Sequence, residues 1–351
     1  LLPCGPLAHS SPEPRRPMPD PSPTLLEEAR EVPERALRIY ARLWQFETWL
    51  RSIVYVELRA KLGDGCRASL KSSTRSYEAD KFLKHMPTPE MNALSYASLG
   101  QMTGLIDEHW DCFAPYLPPK ILWDAKLKEV EQIRHRIAHF RTGHADDHPR
   151  LLQFLRDLDQ GFWRFCTSYN DSLPVLPPER DPVTRRFIGY DPLPWGEIEP
   201  GRWARIGFVD KSEPVNVLIS ALRRPWAEDA ASIDGATGRL YDVVFMGGDR
   251  RVFEYRSLLE STRADHDRLV HIVLGTGDTL RLTIPAVLGA EAVIGIVDRW
   301  LLAARNNVRR GHPITTESAN ALAADWPEYV LGPGHPLAYL GPDMPCSFFD
   351  A

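Results

Sequence analysis

Seven prolines crowd residues 171–202, and the spacing of apolar residues differs on the two sides of them. Proline fixes φ and lacks an amide donor, so this stretch cannot be a helix interior or a central strand. Before it, apolar residues recur every three to four positions; after it they come in short runs rich in Val, Ile, Leu and Phe. A switch of period across such a boundary predicts a helical part followed by a part built on a sheet. We therefore expect an N-terminal all-α helical bundle over residues 24–170. A proline-rich linker or surface strap follows over 171–202, then an α+β domain over 203–345 with a mainly antiparallel sheet and one long covering helix. Residues 346–351 are a short tail.

The helical half reads as several segments. Residues 33–62 carry a stripe of Leu37, Tyr40, Trp44, Leu50, Ile53, Val54 and Leu58, ended by Gly63-Asp64-Gly65. Thr88-Pro-Glu opens a second, with a break near Gly100 or Gly104. Leu117-Pro-Pro starts a third, running to about Arg141. A fourth covers about 149–169 and carries Leu151, Leu152, Leu155, Leu158, Phe162 and Phe165. In the second half, strands are expected near 203–209, 214–222, 239–246, 251–257, 268–275 and 279–284. Gly247-Gly248-Asp249 and Gly275-Thr276-Gly277-Asp278 read as hairpin turns between adjacent strands. A helix over 286–308 follows, too charged at Glu291, Asp298 and Arg299 for a membrane span.

Composition excludes several classes. Hydrophobic residues at 43% and charged at 25% suit an ordinary soluble globular chain. A formal charge of −5 excludes a basic coat for packaging nucleic acid in bulk, while leaving room for a local RNA site. Five cysteines, odd in number and never in a C-x-x-C pair, point to free thiols in a reducing compartment, with no disulfide or structural metal framework. No apolar stretch of membrane-spanning length and no secretory leader is evident, so the expected location is the cytoplasm. The first 23 residues, rich in Pro and Ser, read as a disordered arm. The chain begins with Leu1, and Met18 sits just before the first helical pattern. That predicts an early or non-standard start for residues 1–17.

The chemistry concentrates in Glu129-Val-Glu-Gln-Ile-Arg-His-Arg-Ile-Ala-His-Phe-Arg141. At about 100° per residue, Trp123, Leu127, Val130, Ile133, Ile137 and Phe140 form one stripe, expected to be the core face. His135 and His139, four apart, stack on a face pointing away from it, and Glu131 joins them one turn earlier. Arg134 and Arg141, seven apart, align on a rim of the stripe. A merely solvated helix face would favour Lys and Glu, whereas here two His and three Arg fall within eight residues.

Arg134-His135-Arg136-Ile137-Ala138-His139 resembles the R-x4-H signature of HEPN domains, in which the residue after Arg is commonly Asn, Asp or His. The setting is similar too: a long first helix through ARLWQFETWLRSIVYVELRA (41–60), the signature near the end of a penultimate helix, and a further helix behind it. The likeness covers roughly residues 32–170. It implies a metal-independent endoribonuclease without cofactor, leaving 2′,3′-cyclic phosphate and 5′-hydroxyl ends. His139 would be the general base or acid, Arg134 the transition-state stabiliser and His135 an orienting or second proton-transfer group, with Glu131 and Arg141 in support. Histidine suits proton transfer near neutral pH, and arginine carries permanent charge and forked donors. Arg134 and His139 lie roughly 140° apart around one helix, awkward for a site on one copy. Two bundles packed through these faces would share the site, as in the HEPN dimers, which predicts a symmetric homodimer. The RNA substrate would then sit between copies. The role expected is a toxin or anti-phage effector whose C-terminal domain binds an antitoxin or a trigger.

Weaker signals have plainer readings. His139, His144 and His148 with Asp146 and Asp147 match no compact zinc spacing; Gly143 is expected to stop the helix and Asp147 to cap the next. Tyr77 is read as core or rim packing, and Phe187, Tyr190, Trp195 and Trp203 as anchors of a strap. Two rival functions stand beside the nuclease. One is a catalytically silent HEPN module that dimerises and binds RNA or nucleotide; the other is a scaffold acting through its C-terminal domain.

Overall fold

Helix α1 (Glu34–Leu62) organises the molecule. In the computed structural model, which describes residues 32–80, 93–206, 213–326 and 329–338 together with 82, 83, 85 and 349, it belongs to both halves. Its first turns are amphipathic, burying Ile39, Leu43, Phe46 and Leu50. From Ile53 to Ala60 every residue is buried, Glu57 and Arg59 included, because this part of the helix runs between the helical half and the sheet. Tyr40 and Trp44, expected in the core stripe, are exposed instead. The buried stripe runs through Ile39, Leu43, Phe46 and Leu50, and each of the two aromatics stands about 100° away from it. Gly63 ends the helix at φ +55°, where a Cβ would sit 2.9 Å from Val287 Cγ1.

Helix α2 (Lys71–Asp80) follows a 3-10 stretch. Helices α3 (Leu99–Glu108) and α4 (Trp110–Phe113) come next. The start expected at Thr88 lies outside the described residues. Ser98 and Gln101 form a capping box, so α3 begins at Leu99 and runs through both Gly100 and Gly104. The expected break falls at His109, between α3 and α4. Helix α5 (Lys120–Ala138) lies behind Pro119, and α6 (Asp147–Asn170) packs against α1 and α5. Gly161 permits one close approach: a Cβ there would lie 1.7 Å from the Tyr116 carbonyl oxygen.

The proline-rich stretch is folded onto the rest. Strand β1 (Leu173–Pro174) adds to a sheet edge, and the short helix α7 (Pro182–Phe187) buries Val183 and Phe187. Strands β2 (Trp195–Glu199) and β3 (Arg202–Arg205) form a separate hairpin. The main sheet takes β4 (Val215–Arg223) and β5 (Arg239–Gly247) in antiparallel register, Ile219 opposite Val243. Strand β6 (Arg251–Phe253) leads into α8 (Tyr255–Ser261), so only the start of the expected strand 251–257 is extended. Strands β7 (His271–Leu274) and β8 (Thr279–Pro285) are joined by the expected hairpin, with the Gly275 amide donating to the Thr279 carbonyl at 2.9 Å. Helix α9 (Ala290–Asn306), strand β9 (Val308–Arg310), helix α10 (Thr316–Ala324) and strand β10 (Val330–Leu331) complete the chain.

The sheet order is β1-β4-β5-β8-β7-β10, antiparallel except for β7 beside β10. Gly247-Gly248-Asp249 does not join two paired strands: β6 leaves the sheet and pairs with β9. Asp249 and Arg250 take left-handed backbone at φ +49° and +56°, a conformation that turns the chain out of the ladder. Helix α9 covers one face through Val293, Ile296, Val297, Trp300 and Leu301. The other face meets the helical half. There the Tyr169 hydroxyl lies 2.9 Å from His271 Nδ1, and Tyr55 donates to the Leu269 carbonyl at 2.8 Å. One continuous hydrophobic cluster therefore runs through both halves. Among the described residues, no helix is long and apolar enough to cross a membrane.

Candidate functional site

Helix α5 buries Trp123, Leu127, Val130 and Ile133 against the bundle, so its opposite face is presented to solvent. The stripe does not reach Phe140, which was expected in the core and is 98% exposed. The helix stops at Ala138, short of Arg141. Arg141 N–H donates to the Arg136 carbonyl at 2.9 Å and Phe140 N–H to that of Ile137 at 3.1 Å. This is the doubled bond pattern of a Schellman cap, with Phe140 at φ +54° in the position glycine usually takes. The left-handed residue turns the chain one step past His139 and swings the ring away from the core. Gly143, expected as the stop, lies in the following loop.

Asp147 does not cap the helix it begins. It is buried, accepts from the His144 amide at 2.8 Å, and pairs with Arg136. Burial alone would raise its pKa, but Arg136 and the His144 amide together hold the carboxyl below its ordinary value. The loop 139–146 is thereby pinned between two helix ends. His148, half-buried, has its pKa lowered by burial and by Arg38 and Arg42. Among the described residues, no three His, Cys, Asp or Glu side chains are placed to hold a metal ion.

The candidate residues divide between two faces. The imidazoles of His135 and His139 meet edge to face, with centroids 4.4 Å apart, both exposed. Glu131 is half-buried one turn earlier. Arg134 points the other way, where its Nε donates to the Glu47 carboxylate of α1. Arg134 and Arg141 line a groove of about 860 Å³ between the first turns of α1 and the end of α5; neither histidine lines it. The structure thus gathers Arg134 with Arg141 and His135 with His139, but keeps the two pairs on different sides of one helix end.

Sequence reasoning missed the α1 wall of this groove. Tyr40 (55% exposed) and Trp44 (65%) stand one turn apart with ring centroids at 6.3 Å. The signal was present, since Ile39, Leu43, Phe46 and Leu50 alone make an alternating 4-3-4 stripe that leaves both aromatics outside it. Other aromatics behave as anchors: Phe187 is buried, Arg205 lies over Trp195 at 5.2 Å and Arg305 over Tyr190 at 5.1 Å. Tyr77, on α2, packs 5.6 Å from Tyr96. The described cysteines Cys66, Cys112 and Cys166 are buried, and burial pushes the thiols of Cys112 and Cys166 up to about 12. In comparisons with known proteins, no family model matches the chain, and no match is found among curated proteins or solved structures.

Proposed function

We propose that the helical half is a HEPN-type endoribonuclease that works without metal or cofactor, in a toxin or anti-phage effector. The observation that carries the reading is the end of α5, where two adjoining imidazoles stand exposed one helix face away from Arg134. In the proposed reaction the ribose 2′-oxygen attacks the neighbouring phosphorus and the bond to the 5′-oxygen breaks. His139 takes the 2′-hydroxyl proton or supplies one to the leaving 5′-oxygen, and His135 orients it or performs the complementary transfer. Arg134 carries the charge that builds on phosphorus. Glu131 and Arg141 support the histidines and the phosphate. Because Arg134 and the histidines face apart on one copy, a symmetric homodimer packed through this helix end supplies each site with groups from both chains. The sheet half would carry the surface for an antitoxin or trigger.

The division of the residues also favours a second reading, a silent RNA-binding dimer in which Arg134 serves the groove alone. One experiment separates them: incubation of total and transfer RNA with the full chain in EDTA, beside His139→Ala and Arg134→Ala. The nuclease reading expects cyclic-phosphate ends from the unaltered chain and a loss of at least about a hundredfold in either variant. No cleavage, with RNA binding retained, selects the silent module. Neither cleavage nor binding moves the function to the sheet half.

A further inference from the structure

The groove between α1 and α5 has a chemistry of its own. Among the described residues its lining carries four arginines, Arg134 and Arg141 among them, against the single carboxylate of Glu47. That is a local excess of positive charge in a chain whose formal balance is −5. Three aromatic rings line the same groove: Tyr40 and Trp44 from α1 and Phe140 from the α5 cap. All three are exposed, and Phe140 is held outward by a left-handed backbone that a Phe adopts only at a cost. A hydrophobic core has no use for three large rings in water, and a small anion has no use for rings at all. Flat π-faces beside permanent cations are instead what an unpaired polynucleotide requires, since bases stack on the rings while phosphates meet the guanidinium groups.

We infer that this groove binds single-stranded RNA, with unpaired bases stacked on Tyr40 and Trp44 and the backbone held by Arg134 and Arg141. The inference rests on the ribonuclease reading and adds the substrate class: an unpaired segment, read by stacking and not by base-edge hydrogen bonds. A duplex keeps its bases stacked on one another and offers the rings nothing. Ala138 and Phe140, which flank His139 in sequence, both line the groove, so it reaches the helix end whose other side carries the histidine pair.

The test uses the full chain carrying His139→Ala, so that binding is measured without cleavage. The probes are a fluorescent 12-mer of uridylate, a duplex RNA of the same length and a heparin fragment. Trp44→Ala and Tyr40→Ala should each weaken the 12-mer by about 5- to 150-fold and leave heparin unchanged, while Trp44→Phe, which keeps a ring, restores most of the affinity. Both side chains are exposed, so folding should not suffer. Equal affinity of all variants for the 12-mer overturns the inference, as does equal loss for 12-mer and heparin. A shift of Trp44→Ala from dimer to monomer at unchanged RNA affinity assigns the rings to a second copy of the chain and also overturns it. Ring-dependent binding, where the chain without His139→Ala also cleaves no RNA, keeps the inference and sinks the nuclease. Cleavage without ring dependence does the reverse.

Discussion

Arg224 and Glu57 form an ion pair with no exposed surface on either side chain. Arg224 Nε lies 3.1 Å from both carboxylate oxygens, Nη2 donates to Glu57 Oε1 at 2.5 Å, and the Tyr116 hydroxyl lies 2.8 Å from Nη2. Trp226 Nε1 donates to the other carboxylate oxygen at 2.6 Å. Burial would discharge the guanidinium, but Glu57 more than offsets it and raises the Arg224 pKa. The pair joins α1 to the segment after β4, so it ties the helical half to the sheet half at the centre of the shared core.

Removing one partner leaves a buried charge without compensation. Glu57→Ala is expected to destabilise the chain by about 3–5 kcal/mol in urea unfolding. Replacing both, Glu57→Leu with Arg224→Met, should cost less than the single change, because no charge remains to be desolvated. A double variant as unstable as the single one would show that the loss comes from packing and not from charge.

Gly161 and Gly104 make a matched pair. Both sit inside helices, where alanine ordinarily gains about 1 kcal/mol over glycine. At Gly104 a Cβ meets nothing within 4 Å, and Gly104→Ala should stabilise by about 0.5–1 kcal/mol. At Gly161 the Cβ would fall 1.7 Å from the Tyr116 carbonyl oxygen, so α6 must move off the loop it packs against. Gly161→Ala should therefore destabilise by about 1–3 kcal/mol. The same denaturation experiment reads both, and like signs at the two positions would contradict this account.

Much of this architecture was legible from residue pattern alone, and the parts that were not share a cause. The change of period across residues 171–202 announces helices before a mainly antiparallel sheet, and both are present. Local signals placed the β7–β8 turn and the core face of α5 as far as Ile133. They failed where long-range contacts decide. Glu57 and Arg59 are polar yet buried, because a helix that bridges two layers is enclosed on every side. Phe140 continues the apolar stripe in sequence, but hydrogen bonds at the helix end reverse the backbone before the ring can use it. Large rings usually pack in a core, but Tyr40 and Trp44 stay outside it because a stripe offset by one residue fills the interior.

His266 and His271, both buried, and His335, half-buried, make stability depend on pH. Burial lowers His271 to about 3, with His335 and Arg281 adding to the shift. It lowers His335 to about 4, and His266 likewise to about 4, with Arg263 contributing for the latter. All three are neutral in the folded chain at pH values where an unfolded histidine, near pKa 6.5, is protonated. Below that value the unfolded state binds more protons, so stability falls as pH drops from about 6.5 toward 4 and is level above it. Each histidine adds at most about 1.4 kcal/mol per pH unit to the slope. Asp111 and Asp147, whose carboxyl pKa values are lowered, lose their contribution only at more acid pH. Urea midpoints measured from pH 7.5 to 4.5 should trace this fall; a flat profile would refute the neutral buried assignment.

Glu47 holds Arg134 at the groove, and under the proposed RNA-binding role the consequence is measurable. The Glu47 carboxylate is largely buried and its partner is partly exposed, so the arginine is oriented but its charge is spoken for. A phosphate entering the groove must compete with that carboxylate for the guanidinium donors. Glu47→Gln keeps the shape and an acceptor oxygen while removing the charge. RNA affinity should rise, and the dependence of log affinity on log salt should steepen by about one phosphate contact, a slope change near 0.7 for a single strand. Arg134→Ala in the same background should abolish both gains. If Glu47→Gln weakens RNA binding instead, the carboxylate serves to place Arg134, and the groove needs that geometry more than it needs another free charge.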